Sequence, residues 1–201
     1  MKKVSDFLKT THSKFSNIIP KKTAYKKEPE CHYGTIKIFK DVKSDIWFYG
    51  GGSTRGLEII ERSFVLNLAN RDIDVINPVG FKSKLLDKYK NERIDFQWRD
   101  FGPFVLGKDF WKDLVTVIRR KNKDVLVCCI GGHGRTGTAL AILAGLTGAT
   151  KTDPVKFVRD LYCKKIVESE NQIEYIEDIT GIQVNELPAK ISSKPSFLKY
   201  Y

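Results

Sequence analysis

The segment Cys128-Cys129-Ile130-Gly131-Gly132-His133-Gly134-Arg135-Thr136-Gly137 brings a nucleophile, an arginine and four glycines together in ten residues. Five residues separate Cys129 from Arg135. One turn of loop over that span puts the sulfur on the floor of a cup and the guanidinium on its rim. Arginine forks two oxygens of a phosphate, which a lysine cannot do. A loop whose backbone N–H groups converge beside a helix N-terminus holds an anion and favours a thiolate over a thiol. A thiolate beneath a bound phosphate is a nucleophile aimed at phosphorus. Two other glycine-rich anion loops are weaker fits. A Walker loop needs a lysine before Thr136, where Arg135 stands. Gly132-His133-Gly134-Arg135-Thr136-Gly137 reads literally as G-x-G-x-x-G, yet the dinucleotide fingerprint also needs an acidic residue ending a second strand about 20 positions on. The nearest candidate, Asp153, opens a helix as Thr152-Asp153-Pro154.

Cys129 to Arg135 resembles the Cys-x5-Arg signature of the cysteine-dependent protein tyrosine and dual-specificity phosphatases, and Gly132-x-Gly134-Arg135-Thr136-Gly137 is similar to the continuation of that motif. Cys128 stands where those enzymes usually have histidine. The resemblance implies that Cys129 forms a phosphocysteine and that Arg135 binds the phosphoryl group with the amides of Ile130, Gly131, Gly132, His133 and Gly134. It implies that Thr136 helps the thiolate leave, and that the reaction needs neither a metal nor a cofactor. Trp98-Arg99-Asp100-Phe101-Gly102-Pro103 resembles the mobile Trp-Pro-Asp loop of the same enzymes, with Arg99 in place of the first proline. Asp100 lies 29 residues before Cys129 and is the expected general acid, with Asp95 as the alternative. A departing alkoxide or phenoxide must receive a proton, and a positioned acid contributes about 10²–10⁴-fold. Val167-Glu168-Ser169-Glu170-Asn171-Gln172 resembles a late water-placing stretch, Gln172 matching its second glutamine and Glu168 standing at the first.

These residues need a scaffold. Val125-Leu126-Val127 is a buried strand running into the loop, and Thr138 to Ala144 is an apolar helix leading out of it. Upstream, Thr35–Phe39 and Ile46–Tyr49 read as strands, the second ended by a turn at Gly50-Gly51-Gly52, and 56–62 as a short helix. Phe64–Leu68 is a strand, followed by a polar stretch in which Arg71 and Asp72 are candidates for reading substrate. A helix is expected over 78–89, and Ile94, Phe96 and Trp98 alternate as a strand. Apolar residues at 111, 114, 115 and 118 mark an amphipathic helix, Asp153-Pro154 caps a helix to about Cys163, and another runs from Gln172 towards Ile179. The fold class is therefore α/β: a central, mostly parallel twisted sheet flanked by helices, as the phosphatase resemblance also implies.

The 201 residues, 41% hydrophobic, suffice for one core, and no run approaches the roughly 18 apolar residues of a membrane span. The expected organisation is a basic arm over 1–32, a catalytic domain over 33–185 and a tail over 186–201. The formal charge is +11, of which residues 1–30 carry +5. Such an arm is a solvated tail or a capture device for an acidic partner, nucleic acid or anionic lipid. Four cysteines without a C-x-x-C argue against a disulfide framework or a zinc site and suit a reducing, cytoplasmic setting. The vicinal Cys128–Cys129 pair is also open to a redox role. The expected substrate is a phosphorylated protein or other phosphomonoester, the family reaching phosphotyrosine, phosphoserine/threonine, phosphoinositides and RNA 5′-triphosphates. A non-catalytic phosphate-binding module is the competing class.

Overall fold

The computed structural model describes residues 31–69, 92–96, 98–101 and 106–189. Residues 1–30 of the basic arm, Arg71 and Asp72, the 78–89 helix, Gly102-Pro103 and the last twelve residues lie outside them.

Among the described residues five strands form one sheet: β1 Ile36–Lys40, β2 Trp47–Gly52, β3 Phe64–Asn67, β4 Glu92–Asp95 and β5 Val125–Cys129. Their order is β1-β2-β5-β3-β4, with β1 antiparallel to β2 and every other pairing parallel. β5 is central and all five of its residues are buried. That is why Val125–Cys129 reads as a continuous apolar run rather than an alternating one.

Four helices accompany the sheet among the described residues: α1 Lys108–Lys121, α2 Gly134–Thr147, α3 Pro154–Leu161 and α4 Glu170–Thr180. α2 packs against β5 and β2 and touches all three other helices. A helix surrounded in this way must be apolar on every side. Residues 134–144 are all buried, and the helix stops at Gly148 in a left-handed cap. α1 instead has one apolar face, Trp111, Leu114, Val115 and Ile118, as its spacing predicts. Trp111 Nε1 donates to the Tyr175 hydroxyl at 2.5 Å, which ties α1 to α4. Asp153 caps α3 by accepting from Val155 N and Lys156 N, both at 2.9 Å, an arrangement that contributes about 1 kcal/mol.

Three expectations are corrected. Gly50-Gly51-Gly52 is not a turn but the second half of β2, in register with Val127, Cys128 and Cys129. A Cβ on Gly52 would come within 2.6 Å of the Gly131 backbone, so the glycine is there for close approach to the loop after β5. Residues 56–62 are irregular chain with turns at its two ends, not a helix. Their hydrogen bonds go outward: Glu58 N donates to Thr35 Oγ1 at 2.9 Å, and that hydroxyl donates to Glu58 O at 2.6 Å. Finally, Cys31 and Cys163, 132 residues apart, are joined as a disulfide with Cα atoms 5.2 Å apart. Spacing rules for cysteine detect only pairs that are close in sequence.

Candidate active site

The loop after β5 is held from behind by its carbonyls. Ser53 N donates to Cys129 O at 2.9 Å, Thr54 N and Thr54 Oγ1 donate to Ile130 O at 3.1 and 3.0 Å, and the Tyr162 hydroxyl donates to Gly132 O at 2.9 Å. With three carbonyls anchored outward, the loop can present N–H groups inward. Gly132 N donates to Cys129 Sγ at 3.2 Å. Gly132 has φ +74°, a conformation that favours glycine, and a Cβ there would sit 2.9 Å from Gly52 N.

Arg135, in the first turn of α2, is 3% exposed and firmly placed. Its Nη1 donates to Trp98 O at 3.0 Å and Leu68 O at 3.5 Å. Its Nε lies 3.4 Å from Asp100 Oδ1. Trp98 is buried against Trp111 and Tyr175, so the segment carrying Asp100 rests on the core. Ser169 Oγ donates to Phe101 O at 3.0 Å and fastens that segment to the start of α4.

A cavity of about 410 Å³ opens over the loop, lined among others by Cys129, Arg135, Asp100, Phe101 and Glu168. The structure therefore brings Cys129, Ile130, Gly131, His133, Gly134, Arg135 and Asp100 to one cavity. Thr136 follows Arg135 on α2, fully buried, its hydroxyl without a hydrogen-bond partner. Asp95, the alternative acid, is instead taken up at the end of β4, accepting from Asn67 Nδ2 at 2.5 Å and from Arg93 Nε.

The electrostatics separate the cysteines. Successive strand residues face opposite sides of a sheet. Cys128 is buried with its thiol donating to Leu66 O at 3.8 Å, and burial pushes that thiol upward, away from ionisation. Cys129 alone faces the cavity. Glu168 joins it there: burial, and then the charge of Asp100, raise its carboxyl above the usual range, against a hydrogen bond from Gly134. Glu168 N donates to Gln172 Oε1 at 2.7 Å, so the two residues noted in sequence act as a pair, glutamine buried below and carboxylate in the cavity.

Next to the loop lies a second cluster. His32 stands edge-on to His133, ring centres 4.9 Å apart, and is tilted on Tyr162 at 4.6 Å. Burial, then the Arg55 charge, lowers His32 to about 4; burial, then His32, Arg55 and Lys165, lowers His133 to about 3. Both rings are neutral at neutral pH.

Residues 109–180 match the family described as Swiss Army Knife protein, DSP-PTPase phosphatase domain. That segment runs from α1 to α4 and contains the whole Cys129–Gly137 motif. Over that segment the chain is similar to the dual-specificity and tyrosine phosphatases. Solved structures of such phosphatases share the fold. Tk-PTP in its active form superposes with a TM-score of 0.52 at 19% identity, over 68% of this chain and 91% of that one. A kinase associated phosphatase with serine for its catalytic cysteine gives 0.53 at 13% identity, over 74% and 93%. Two uncharacterized proteins of Methanocaldococcus jannaschii are 46% and 45% identical over 78 residues, 38% of this chain. The chain spans about half the length of these curated relatives, 48% and 52%. Among the described residues, no helix is long and apolar enough to cross a membrane.

Sequence reasoning passed over Ser53, Thr54, Arg55, Phe101 and Tyr162. A signal existed for the first three. They follow β2, which lies parallel beside β5, and ligand sites of open parallel sheets gather at the carboxyl ends of such strands. Tyr162 carried no such signal, because its role depends on how α3 packs.

Proposed function

We propose that the chain hydrolyses phosphomonoesters through a phosphocysteine at Cys129. The observation that carries this reading is one cavity shared by a sulfur, a buried arginine and a carboxylate: Cys129, Arg135 and Asp100. Arg135 and the amides of Ile130, Gly131, Gly132, His133 and Gly134 hold the three non-bridging phosphoryl oxygens. They supply positive charge where charge builds up in the transition state.

In the first step Cys129 Sγ, as the thiolate, attacks phosphorus in line with the ester oxygen. The S–P bond forms, the P–O ester bond breaks, and Asp100 passes its proton to the leaving oxygen. In the second step Asp100, now a carboxylate, takes a proton from water as the water oxygen attacks phosphorus. The S–P bond breaks, the Thr136 hydroxyl donates to the returning thiolate, and inorganic phosphate departs. Nucleophile and acid act from opposite sides of the bound phosphoryl group.

The substrate class we assign is a phosphorylated protein side chain, phosphotyrosine or phosphoserine/threonine. Phe101 and Ile130 in the cavity wall support an organic leaving group beside the phosphate, and 410 Å³ admits a phenol ring. The test mixes reduced enzyme with excess chromogenic aryl phosphate on a millisecond scale, then compares phosphopeptides with inositol phospholipids and 5′-triphosphorylated RNA at low and high salt. A burst of phenol equal to the enzyme concentration, with phosphopeptide preferred, is expected. Linear release without a burst and without trapped phosphoenzyme contradicts the two-step route. A salt-sensitive preference for RNA moves the substrate to the triphosphatase branch. Binding without turnover favours the phosphate-reading module.

A further inference from the structure

A cluster of four metal-ligating side chains lies beside the phosphate cup. Cys31, His32, His133 and Cys163 come from three separate places: the chain before β1, the loop between β5 and α2, and the end of α3. Each offers one donor atom, and the four donors all lie within 4.8 Å of one another. His32 is 4% exposed and Cys163 3%. Both ring nitrogens of His32 and Nε2 of His133 are buried without a hydrogen-bond partner. A neutral imidazole carries one N–H and one lone pair. Leaving both nitrogens of a buried ring unpaired forfeits the hydration they have in water, which proteins seldom accept without a reason. Joining Cys31 to Cys163 as a disulfide occupies the sulfurs but leaves the histidines unexplained.

We infer that in the dithiol state Cys31, His32, His133 and Cys163 form a tetrahedral Cys₂His₂ site for zinc. Zinc binds thiolate sulfur at about 2.3 Å and imidazole nitrogen at about 2.0–2.1 Å, which sets neighbouring donors roughly 3.3–3.8 Å apart in a tetrahedron. The cluster is of that donor type, and its donors, all within 4.8 Å of one another, need to draw in by about 1 Å to meet the ion. A dithiol reductant gives two electrons and two protons to the Cys31–Cys163 bond and leaves as its own disulfide, and zinc then displaces one proton from each freed thiol and accepts a lone pair from each ring. All four positions are filled by protein, as in a structural site rather than a catalytic one with an open position. The ion would be silent in the phosphoryl chemistry. Its effect is mechanical: through His133 it clasps the phosphate loop to the chain before β1 and to the end of α3.

The structure adds two supports. Tyr162, next to Cys163, already bonds Gly132 O at 2.9 Å, so this side of the loop is built for fastening. A Cβ on Gly132 would lie 2.5 Å from His32 Nε2, so glycine leaves room for that ring against the loop.

Cobalt(II) titration of the full chain, reduced with a phosphine and freed of metal, tests the site without reference to phosphatase activity. One equivalent should bind with the strong thiolate-to-metal charge-transfer band and the visible bands of tetrahedral cobalt, and one equivalent of zinc should bleach them. Cys163→Ser and His32→Gln, checked for folding by circular dichroism, should weaken zinc by more than the roughly 10–100-fold that changes around the ligands cost. Cys129→Ser should keep the full spectrum. Absence of a tetrahedral thiolate spectrum in folded, reduced wild type overturns the site. So does a spectrum that survives Cys163→Ser, or one that Cys129→Ser abolishes, since the metal would then sit on other sulfur.

Discussion

Asp100 Oδ1 stands 3.4 Å from Arg135 Nε, an exposed carboxylate resting on a buried guanidinium. Arg135 also donates to the Trp98 carbonyl two residues earlier, so the segment carrying the acid and the group that binds phosphate are one connected unit. A phosphoryl group entering the cup meets the same guanidinium. It would take over part of the charge that Asp100 now faces and leave the carboxyl group above the scissile oxygen.

Asp100→Asn removes the proton donor while keeping its shape. The variant should lose about 10²–10⁴-fold in kcat on a phosphotyrosine peptide, whose phenol is a poor leaving group. The loss should be far smaller on an aryl phosphate whose phenol departs without a proton. Leaving-group dependence of kcat is the readout, and an equal loss on both substrates would remove Asp100 from the role of acid.

Glu168 is a carboxylate held in an unfavourable place. Burial raises its folded-state value above the unfolded one, so the folded chain binds the extra proton more readily. The stability of that protonated form is complete below the ordinary value of 4.5 and is lost as pH rises through the raised folded value. At neutral pH the ionised group therefore costs stability. Glu168→Gln should raise the unfolding midpoint near neutral pH and give no gain near pH 4. Turnover should fall in the same variant. A variant less stable than wild type at neutral pH would show that the carboxylate is structural.

Gly52→Ala places a methyl group against backbone. With the Gly131 carbonyl carbon at 2.6 Å, the strand or the loop must shift. The expected destabilisation is about 1–3 kcal/mol in a denaturant titration, with phosphate affinity falling alongside. Unchanged stability and affinity would mean that the close approach of β2 to the loop has no role in shaping the cup.

How far the sequence could be read depended on the range of the interaction. The Cys129–Arg135 loop, the buried face at 111, 114, 115 and 118 and the Asp153-Pro154 cap are set by neighbours within a few residues, and each stands as its spacing predicts. Parallel pairing left a weaker trace, yet the continuous apolar run at Val125–Cys129 marked the central strand. What escaped is set across the fold. Gly50–Gly52 resembles a turn until the strand beside it is known, and residues 56–62 bond to Thr35 rather than to themselves. Cys31 meets Cys163 only because the chain before β1 returns to the end of α3.

Away from the site, Arg119 and Asp41 offer a stability test with a defined sign. Arg119 donates from Nε at 2.7 Å and from Nη2 at 2.9 Å to a carboxylate only 1% exposed. Burial alone would raise Asp41, but the Arg119 hydrogen bonds, with Lys43 N and Ser44, outweigh it and hold the carboxyl below its ordinary 3.8. Its contribution is thus present above that value and fades as pH falls through the lowered one. Arg119→Ala should cost about 2–4 kcal/mol at neutral pH, and the gap to wild type should narrow under acid as Asp41 is protonated. A gap independent of pH would assign the loss to packing.

The most direct test of the central claim is turnover of an aryl phosphate by reduced wild type and by Cys129→Ser, with folding of both verified and phosphate binding measured alongside. The account predicts turnover by wild type, none above background by the variant, and phosphate still bound in the variant's cup. A folded Cys129→Ser chain as active as wild type would contradict it.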